Sequence, residues 1–437
     1  MSSTIQVQVL AQLPGMAYGA RQPSVVVRIS VDSEPNRAVQ AWLCDRFGAP
    51  TDEAAGAAEA PPLGHVLLHL VRAAQQTAKL PVFDTGQVLQ ISAPEGQPMV
   101  LFLQVPCPPT LPRAATDAMH WMCQWLGLPA DPAPEALAES LAELLGRLRA
   151  RAPRGSEQLH LLRSAHRRGV PWDRLAGNMF QLGWGSRRRI IENTFSDRTP
   201  TTAMLLARSK SMTADVLHRA GLPAPVHARA FDEDDAVAIA EQWGYPVVVK
   251  PADLDGGVGV SPGLGDAAAV RRAFARAAVH SKHVLVERHV DGHDFRIGVF
   301  NGRILWASHR LPGAVTGNGG DSVQALVDQL NRDPRRGKDD TAALKALSLD
   351  EEALELLASR GMTPHSVPAA GEFIALRRAA SVSQGGSATE WPASAFHPDN
   401  LDVCVMATRA VGLDFAGIDL ILTDQNMPNT DGLTLIK

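Results

Sequence analysis

The residues best suited to chemistry lie in one short stretch near the middle of the chain. Three valines at residues 247–249 lead into Lys250, and a glycine-rich loop follows at residues 255–260. A β-branched run predicts a buried strand, and glycines let successive backbone N–H groups converge on phosphate oxygens. The stretch therefore indicates a phosphate-binding turn to which Lys250 adds a fixed charge. A glycine-rich hairpin that follows an incidental lysine is the alternative.

The scarcity of lysine favours the phosphate-binding interpretation. The chain contains seven lysines, so arginine accounts for 35 of its 42 basic residues (42 − 7 = 35). Lysine and arginine are not interchangeable, since the lysine ammonium is a compact point charge. In this composition, Lys250 is better explained as a required charge.

Charged residues also interrupt apolar, strand-like segments farther along the chain. They are Glu287, Asp294, Arg296 and Arg310. Burying an unpaired charge is costly, so these residues favour a binding site over a passive core. An Asn-Gly pair at residues 301–302 predicts a tight hairpin turn, and residues 284–310 as a whole predict an antiparallel core sheet.

Two features near the end of the chain could hold anions and cations. A strand leads into a Ser/Gly loop at residues 383–387, whose backbone N–H groups suit a carboxylate or a phosphate. A later apolar strand, at residues 417–422, carries the single carboxylate of Asp419. One or two carboxylates of this kind suit a Mg²⁺ ion that bridges nucleotide phosphates.

Length and composition limit the class of protein. With 437 residues, of which 45% are hydrophobic, the chain predicts two or three domains. A net charge of −4 gives no electrostatic footprint for nucleic acid or for a membrane surface. The four cysteines lack metal-site spacing, and neither a signal peptide nor a membrane-spanning run is evident, so we expect a reducing, cytoplasmic location.

Seven motifs, taken in order, resemble those of the ATP-grasp carboxylate–amine ligases, and among these the cyanophycin synthetases most closely. They occupy residues 180–186, 196–199, 249–251, 331–337, 383–387, 397–400 and 416–419. The resemblance implies an α+β fold, in which an ATP-grasp domain at residues 161–437 follows a small α+β domain at residues 1–160. A lid at about 222–285 and a helical insertion at about 322–370 would belong to the ATP-grasp domain.

The resemblance also implies a role for each site residue, with ATP and Mg²⁺ as cofactors. The expected ATP-binding residues are Lys210, Lys250, Gly256, Gly257, Gly259, Glu287, Val290 (through its backbone) and Asp294. The expected catalytic residues are Arg296 and Arg310, which would neutralise an acyl-phosphate. The acceptor carboxylate would bind Ser383, Gly385, Gly386 and Ser387, and the metal would bind Asp419.

The chain departs from the family pattern at several positions. Val258 stands where the family has a basic residue, residues 255–256 replace an Asn-Gln pair, and Ala314 replaces a histidine. The last strand, at residues 432–437, lacks the family's Glu-x-Asn metal pair, and 437 residues are too few to include the family's Mur-ligase-like domain as well. By this comparison the ATP-grasp domain would be truncated at its C-terminal end.

Three functions remain open at this point. The first is an ATP-dependent ligase that joins an amino acid to a peptide or polymer through an acyl-phosphate, as the aspartate-adding half of cyanophycin synthetase does. The second is a catalytically weakened binding subunit that recognises a polymer or a partner synthetase. The third is a dipeptide ligase of the glutathione-synthetase type. A homo-oligomer is compatible with each of them.

Overall fold

The computed structural model describes residues 4–16, 18–48, 63–92, 97–254, 256–337, 344–424 and 434–436. The chain forms two compact units, Met1–Asp197 and Arg198–Lys437. Helices and strands are mixed in both units, which confirms the predicted α+β class. Within the described ranges, no helix combines the length and the apolar character needed to cross a bilayer.

The first unit begins with a four-stranded antiparallel sheet covered by helices. Its strands are β1 (Ile5–Leu13), β2 (Ser24–Val31), β3 (Gln87–Ser92) and β4 (Met99–Pro106), in the order β1-β2-β4-β3. Its helices are α1 (Arg37–Phe47), α2 (Leu63–Thr77), α3 (Pro112–Leu126) and α4 (Pro134–Arg149). Every second residue of β2, from Val25 to Val31, is buried, because alternate side chains point to one face of a sheet.

A second, smaller sheet completes this unit. The helix α5 (Ser156–Arg167) precedes it. Its strands pair in sequence order and are β5 (Trp172–Ala176), β6 (Met179–Leu182), β7 (Arg189–Glu192) and β8 (Phe195–Ser196). His166 contacts the carboxylate of Asp84 (Nε2 to Oδ1, 3.0 Å), and Phe83 packs edge-on against Trp172. These contacts tie residues 156–197 to the first unit, whereas the sequence placed the domain boundary near residue 160.

The second unit contains a lid-like layer in which two helices cover one sheet. After α6 (Thr201–Arg208) and α7 (Lys210–Arg219) come β9 (His227–Ala230), α8 (Glu233–Trp243), β10 (Val247–Pro251), β11 (Ser261–Leu264), α9 (Ala267–His280) and β12 (Val284–Arg288). The four strands pair antiparallel in the order β11-β10-β12-β9, which we call the lid sheet. Val247 and Val249 face its core, so Val248 and Lys250 point the other way.

A separate five-stranded sheet follows, interrupted by an insertion. Its strands are β13 (His293–Phe300), β14 (Arg303–Leu311), β19 (Ser387–Trp391), β20 (Phe415–Leu422) and β21 (Thr434–Ile436), with α12 (Pro398–Val411) against one face. The insertion contains β15 (Ala314–Thr316), α10 (Val323–Leu330), β16 (Arg336–Gly337), β17 (Leu344–Lys345), α11 (Glu351–Ser359) and β18 (Phe373–Ala375). A hydrophobic cluster of its own, which includes Val327 and Ile374, holds the insertion together.

One prediction about the sheets was wrong. The sequence suggested a single antiparallel sheet over residues 284–310, but β12 pairs with β9 and β10 in the lid sheet, and only β13 and β14 pair with each other. The chain leaves one sheet and enters the other at residues 289–292. The predicted Asn-Gly turn is present, with positive φ at both Asn301 (48°) and Gly302 (73°).

All four cysteines are buried thiols. They are Cys44, Cys107, Cys123 and Cys404. Burial raises the pKa of Cys107, Cys123 and Cys404 to about 12, because an apolar environment disfavours the thiolate. These side chains therefore behave as small apolar groups of the core.

Candidate active site

A cleft of about 350 Å³ lies between the lid sheet and the five-stranded sheet. It brings together nine of the residues predicted from the sequence. They are Lys210, Lys250, Gly256, Gly257, Glu287, Val290, Asp294, Arg310 and Asp419. Since these residues come from positions as far apart as 210 and 419, the fold rather than the local sequence assembles the site.

The lid sheet supplies a buried ion pair to this cleft. Antiparallel pairing of β10 and β12 places Val248 opposite Glu287, so Lys250 lies one step along the same face. The ammonium of Lys250 is 2.6 Å from Oε2 of Glu287, and both side chains are only 7% exposed. The positive charge of Lys250 that the sequence predicted is therefore present, and the carboxylate of Glu287 on the neighbouring strand β12 balances it.

A second lysine lies at the entrance of the glycine-rich loop. Lys210 begins α7, and its ammonium donates a hydrogen bond to the carbonyl of Leu254. Its backbone N–H also faces the carbonyl of Ala252 at 3.4 Å. Lys210 thus connects α7 with the segment that follows β10, and it lines the same cleft as Lys250.

The floor of the cleft is the polar face of the five-stranded sheet. Strand register places Asp294 opposite Arg310 and Arg296 opposite Asp419. Both arginines contact Oδ1 of Asp419, at 2.7 Å from Nη1 of Arg296 and at 3.2 Å from Nη1 of Arg310. One carboxylate therefore orients two guanidinium groups. The opposite face of these strands is apolar and packs against α12.

A glycine makes room for one of these arginines. A Cβ atom at Gly417 would lie 2.2 Å from Nε of Arg296, far inside van der Waals contact. The guanidinium of Arg296 therefore lies directly against the backbone of β20. Any larger residue at position 417 would displace Arg296 from Asp419.

The electrostatic environment of Asp294 is unusual for a carboxylate. Burial, and after it the negative charge of Asp419, raise the pKa of Asp294 to about 6, against the opposing effect of Arg310. Burial also lowers the pKa of Arg310, although an arginine remains charged at any physiological pH. Asp294 is consequently a carboxylate poised to accept a proton, a hydrogen-bond donor or a cation from a ligand.

Asp294→Asn should raise the free energy of unfolding at pH 7 by on the order of 2 kcal/mol. Folded Asp294 keeps its proton up to about pH 6, whereas the unfolded carboxyl loses it near 3.8. The folded state therefore binds more protons between these values, and its stability falls as the pH rises from about 4 to 6. The amide lacks this dependence, so the gain should disappear near pH 4.

Urea denaturation at pH 4 and pH 7 checks this expectation. Asp291→Asn is the matched control, because the Asp291 side chain lies at the same cleft but is 90% exposed. The control should change stability little at either pH. A variant of Asp294 that is equally stable or less stable than the original protein at pH 7 would contradict the expected burial cost.

The structure places the predicted acceptor residues beside the glycine-rich loop. We call residues 381–387 the serine loop. The Ser383 hydroxyl donates to the carbonyl of Gly256 at 3.0 Å, and Gly385 and Gly386 lie where a Cβ would strike Leu347 and the Leu311 carbonyl. Arg336 of the insertion donates to the Gly385 carbonyl at 3.0 Å. The insertion thus fixes the shape of this loop.

Other predicted residues have different surroundings. Gly259 packs against the ring of Pro251, and Ser387 begins β19 opposite Leu311. Val258, which stands where a basic residue was expected, is 40% exposed. Asp255 lies outside the described residues. Ser383, Gly385, Gly386, Ser387, Gly259 and Arg296 are not among the residues that line the cleft itself.

Sequence reasoning missed several residues that line the cleft. They include Ser381, Arg378, His289 and Asp291. Arg378 is paired with Glu355 of α11 at 2.9 Å, so its neighbour comes from the insertion. The position of Ser381, two residues before the predicted Ser383, was the feature of the sequence that could have identified it as a site residue.

The cleft can be tested for its fit to a magnesium ion. Asp294 and Asp419 both line it, and carboxylate oxygens are the protein ligands that Mg²⁺ prefers beside nucleotide phosphates. Within the ranges that the structure describes, no group of three or more His, Cys, Asp or Glu residues could hold a metal. The two carboxylates of Asp294 and Asp419 therefore fit a Mg²⁺ ion that takes most of its other ligands from nucleotide phosphates.

Comparisons with known proteins identify ligases and synthetases with similar sequences. A family model described as the C-terminus of D-ala D-ala ligase matches residues 217–310. A cyanophycin synthetase from Geminocystis herdmanii is 32% identical over 373 residues, which are 84% of this chain and 42% of that protein. A glutathione biosynthesis bifunctional protein from Mannheimia succiniciproducens is 30% identical over 259 residues, 58% of this chain and 34% of that protein.

A solved bifunctional glutathione synthetase from Pasteurella multocida aligns with a TM-score of 0.47 at 23% identity, covering 75% of this chain and 48% of that one. The chain spans less than half the length of the curated relatives that it matches. The sequence matches confirm the ATP-grasp fold and the resemblance inferred from the motifs: the chain is similar to the cyanophycin synthetases over most of its length.

Proposed function

We propose that this chain is an ATP-dependent carboxylate–amine ligase that forms an amide bond through an acyl-phosphate. The observation that carries the proposal is the meeting of Lys210, Lys250 and Arg310 in one cleft, with Arg296 beside Arg310 on Asp419. Lys210 and Lys250 lie at the glycine-rich loop, and Arg296 and Arg310 meet on Asp419 across from it. A nucleotide polyphosphate and a developing acyl-phosphate need cations at these two places.

The chemistry requires little from the protein besides position and charge. A substrate carboxylate oxygen attacks the γ-phosphorus of ATP, the bond to the β-phosphate oxygen breaks, and ADP leaves. An amine nitrogen then attacks the acyl carbon, phosphate departs with the former carboxylate oxygen, and the amine loses a proton. A bound Mg²⁺ would supply charge neutralisation at the phosphates. Because both steps move negative charge, preorganised cations lower their barriers.

Each residue then has a role within this proposal. Lys210, Lys250 and the backbone of Gly256, Gly257 and Gly259 bind phosphates. Glu287 and the backbone of Val290 hold the adenine, and Asp294 lies beside the nucleotide. Arg296 and Arg310 stabilise the acyl-phosphate, Asp419 would hold the metal, and the serine loop binds the acceptor carboxylate through Ser383, Gly385, Gly386 and Ser387. The added amino acid is aspartate if the chain follows its cyanophycin synthetase relatives.

Release of ADP tests the proposal. The purified chain would be incubated with Mg-ATP, primer peptides and each of the twenty amino acids, and ADP and phosphate would be measured. We expect release that depends on both a peptide and one amino acid. Release no greater than the background without peptide would contradict the ligase function.

A second candidate is a binding subunit with weakened catalysis. The observation that favours it is Val258, an exposed apolar residue in the glycine-rich loop where a cation was expected. This function predicts ATP binding that is weak or independent of Mg²⁺, so a calorimetric titration showing tight, Mg²⁺-dependent binding would count against it. A dipeptide ligase of the glutathione-synthetase type would share the ATP site, and the identity of the substrate separates it.

A further inference from the structure

Two hydroxyl groups of the serine loop converge on one carbonyl of the glycine-rich loop. Ser381 and Ser383 each lie 3.0 Å from the Gly256 carbonyl oxygen, and their own hydroxyl oxygens are 2.8 Å apart. A Cβ at Gly256 would approach the Ser383 hydroxyl to 2.9 Å, and Gly256 has a φ of +75°. The loop can approach the serines this closely only because position 256 is glycine.

The three oxygen atoms share only two hydroxyl protons. A serine hydroxyl has a single proton to donate, whereas three contacts join these oxygens. Both hydroxyls can donate to Gly256, or one hydroxyl can donate to the other, which then alone donates to Gly256. In each of these arrangements at least one serine holds the glycine-rich loop. One of the two protons can therefore be redirected while the other serine keeps its bond to Gly256.

An exposed ion pair also links α11 of the insertion to α9 of the lid-like layer. Glu355 of α11 pairs with Arg378 at 2.9 Å and lies 4.0 Å from Arg276 of α9. Arg276 and Glu355 are 40% and 42% exposed, so solvent screens this pair and its contribution is small. Among the described residues, the hydroxyl contacts join the serine loop to Gly256 by hydrogen bonds, and a Cβ at the neighbouring Gly257 would lie 3.1 Å from Oε1 of Gln384.

We propose that Ser381 is a positioning residue that keeps the glycine-rich loop over the cleft, and that Ser383 shares its proton between this loop and an incoming carboxylate. The second half rests on the proposed function, because it takes the serine loop as the site of the acceptor carboxylate. Acceptor binding would then remove one of two hydrogen bonds that hold the loop, and leave the bond from Ser381. Nucleotide retention and acceptor binding are coupled through one hydroxyl.

Amide hydrogen exchange of residues 252–262 tests the role of Ser381 in the full chain without substrate. Loss of one hydrogen bond should raise exchange about fivefold in Ser381→Ala, because a net hydrogen bond stabilises by roughly this factor. Ser381→Thr keeps the hydroxyl and should restore the original exchange. Ser359→Ala is the matched control, since Ser359 is exposed and its hydroxyl donates to the Leu356 carbonyl within α11.

A purely structural role would lower the melting temperature, so that temperature is measured in parallel. We expect it to change little, while the affinity for Mg-ATP falls about fivefold in Ser381→Ala and recovers in Ser381→Thr. Unchanged exchange in Ser381→Ala would overturn the positioning role. An increase that Ser359→Ala reproduces would also overturn it.

Two peptides test the sharing of the Ser383 proton. A short aspartate peptide with a free C-terminal carboxylate should raise exchange of residues 252–262 about fivefold, and the same peptide as a carboxamide should not. The free acid should have no such effect in Ser383→Ala. An equal effect in that variant would overturn the sharing. If neither peptide binds by calorimetry, the sharing and the acceptor role both fail, while the exchange result for Ser381 stands independently.

Discussion

Lys250→Met should lower the free energy of unfolding by about 3–5 kcal/mol, the cost typical of breaking a buried ion pair. The methionine leaves the carboxylate of Glu287, which is 7% exposed, without its 2.6 Å partner inside the lid sheet. An uncompensated buried charge cannot recover its hydration in the folded state. Urea denaturation of the purified variant at neutral pH measures the loss, and nucleotide titration should show weakened ATP binding in the same protein.

Two further variants separate the ion pair from the charge itself. The double variant Lys250→Met, Glu287→Leu removes both charges and should recover stability to within about 1–2 kcal/mol of the original, because apolar replacements of buried pairs are often neutral. ATP binding should remain weak, since the proposed phosphate ligand is still missing. Lys282→Met is the control, because Lys282 is exposed just before β12. A single variant as stable as this control would contradict the assignment of a buried pair.

Arg310→Gln should lower kcat of the ligase reaction by about 10²–10³, the effect typical of removing one preorganised group that stabilises developing charge. Arg310 lines the cleft and lies 3.2 Å from Asp419, so its guanidinium is fixed before substrate binds. Arg296 remains at 2.7 Å from the same carboxylate and should keep the local fold intact. The affinity for Mg-ATP should change far less than kcat.

The same strand offers a control for this variant. Arg303 begins β14 and is exposed, far along the strand from Arg310. Arg303→Gln should leave kcat within about twofold, because surface substitutions away from a site have small effects. Steady-state ADP release gives kcat and KM for both. If Arg310→Gln raises KM alone, Arg310 contributes to substrate binding and the proposed role in stabilising the acyl-phosphate fails.

Much of the cleft was predictable because its charged residues lie in otherwise apolar strands. A lysine that ends a valine strand, and charged residues at Asp294, Arg296 and Arg310 within apolar strands, are costly unless a site uses them. Once β13 and β14 are recognised as a hairpin around Asn301, a period of two puts these three side chains on one face. The structure confirms that Asp294 and Arg310 line one cleft, with Arg296 beside them on Asp419. Their chemical roles stay predictions.

What the sequence could not reveal depends on contacts between distant segments. The bond between Ser381 and Gly256 joins residues 125 positions apart, and no local pattern at either one records the other. The assignment of β12 to the lid sheet likewise follows from its pairing with β9 and β10. A strand of valine and leucine fits either sheet equally well by composition, so periodicity alone cannot choose between them.

The unit boundary near Asp197 has a similar cause. Composition suggested a linker near residue 150, but α5 and the sheet after it pack against Phe83 and Asp84 through side chains such as His166. These are a few specific contacts rather than a hydrophobic pattern. Sequence reasoning detects patterns well and such individual contacts poorly.

The buried cysteines can report the unfolding of each unit through their reactivity. Cys44, Cys107 and Cys123 lie in the first unit and Cys404 lies in the second, so an alkylating reagent that reacts only with accessible thiolates would label them only as each unit unfolds. Mass spectrometry of the labelled peptides would then report the opening of the two units separately. A ligand that binds the cleft should slow labelling of Cys404 and leave the other three unchanged, without any engineered probe.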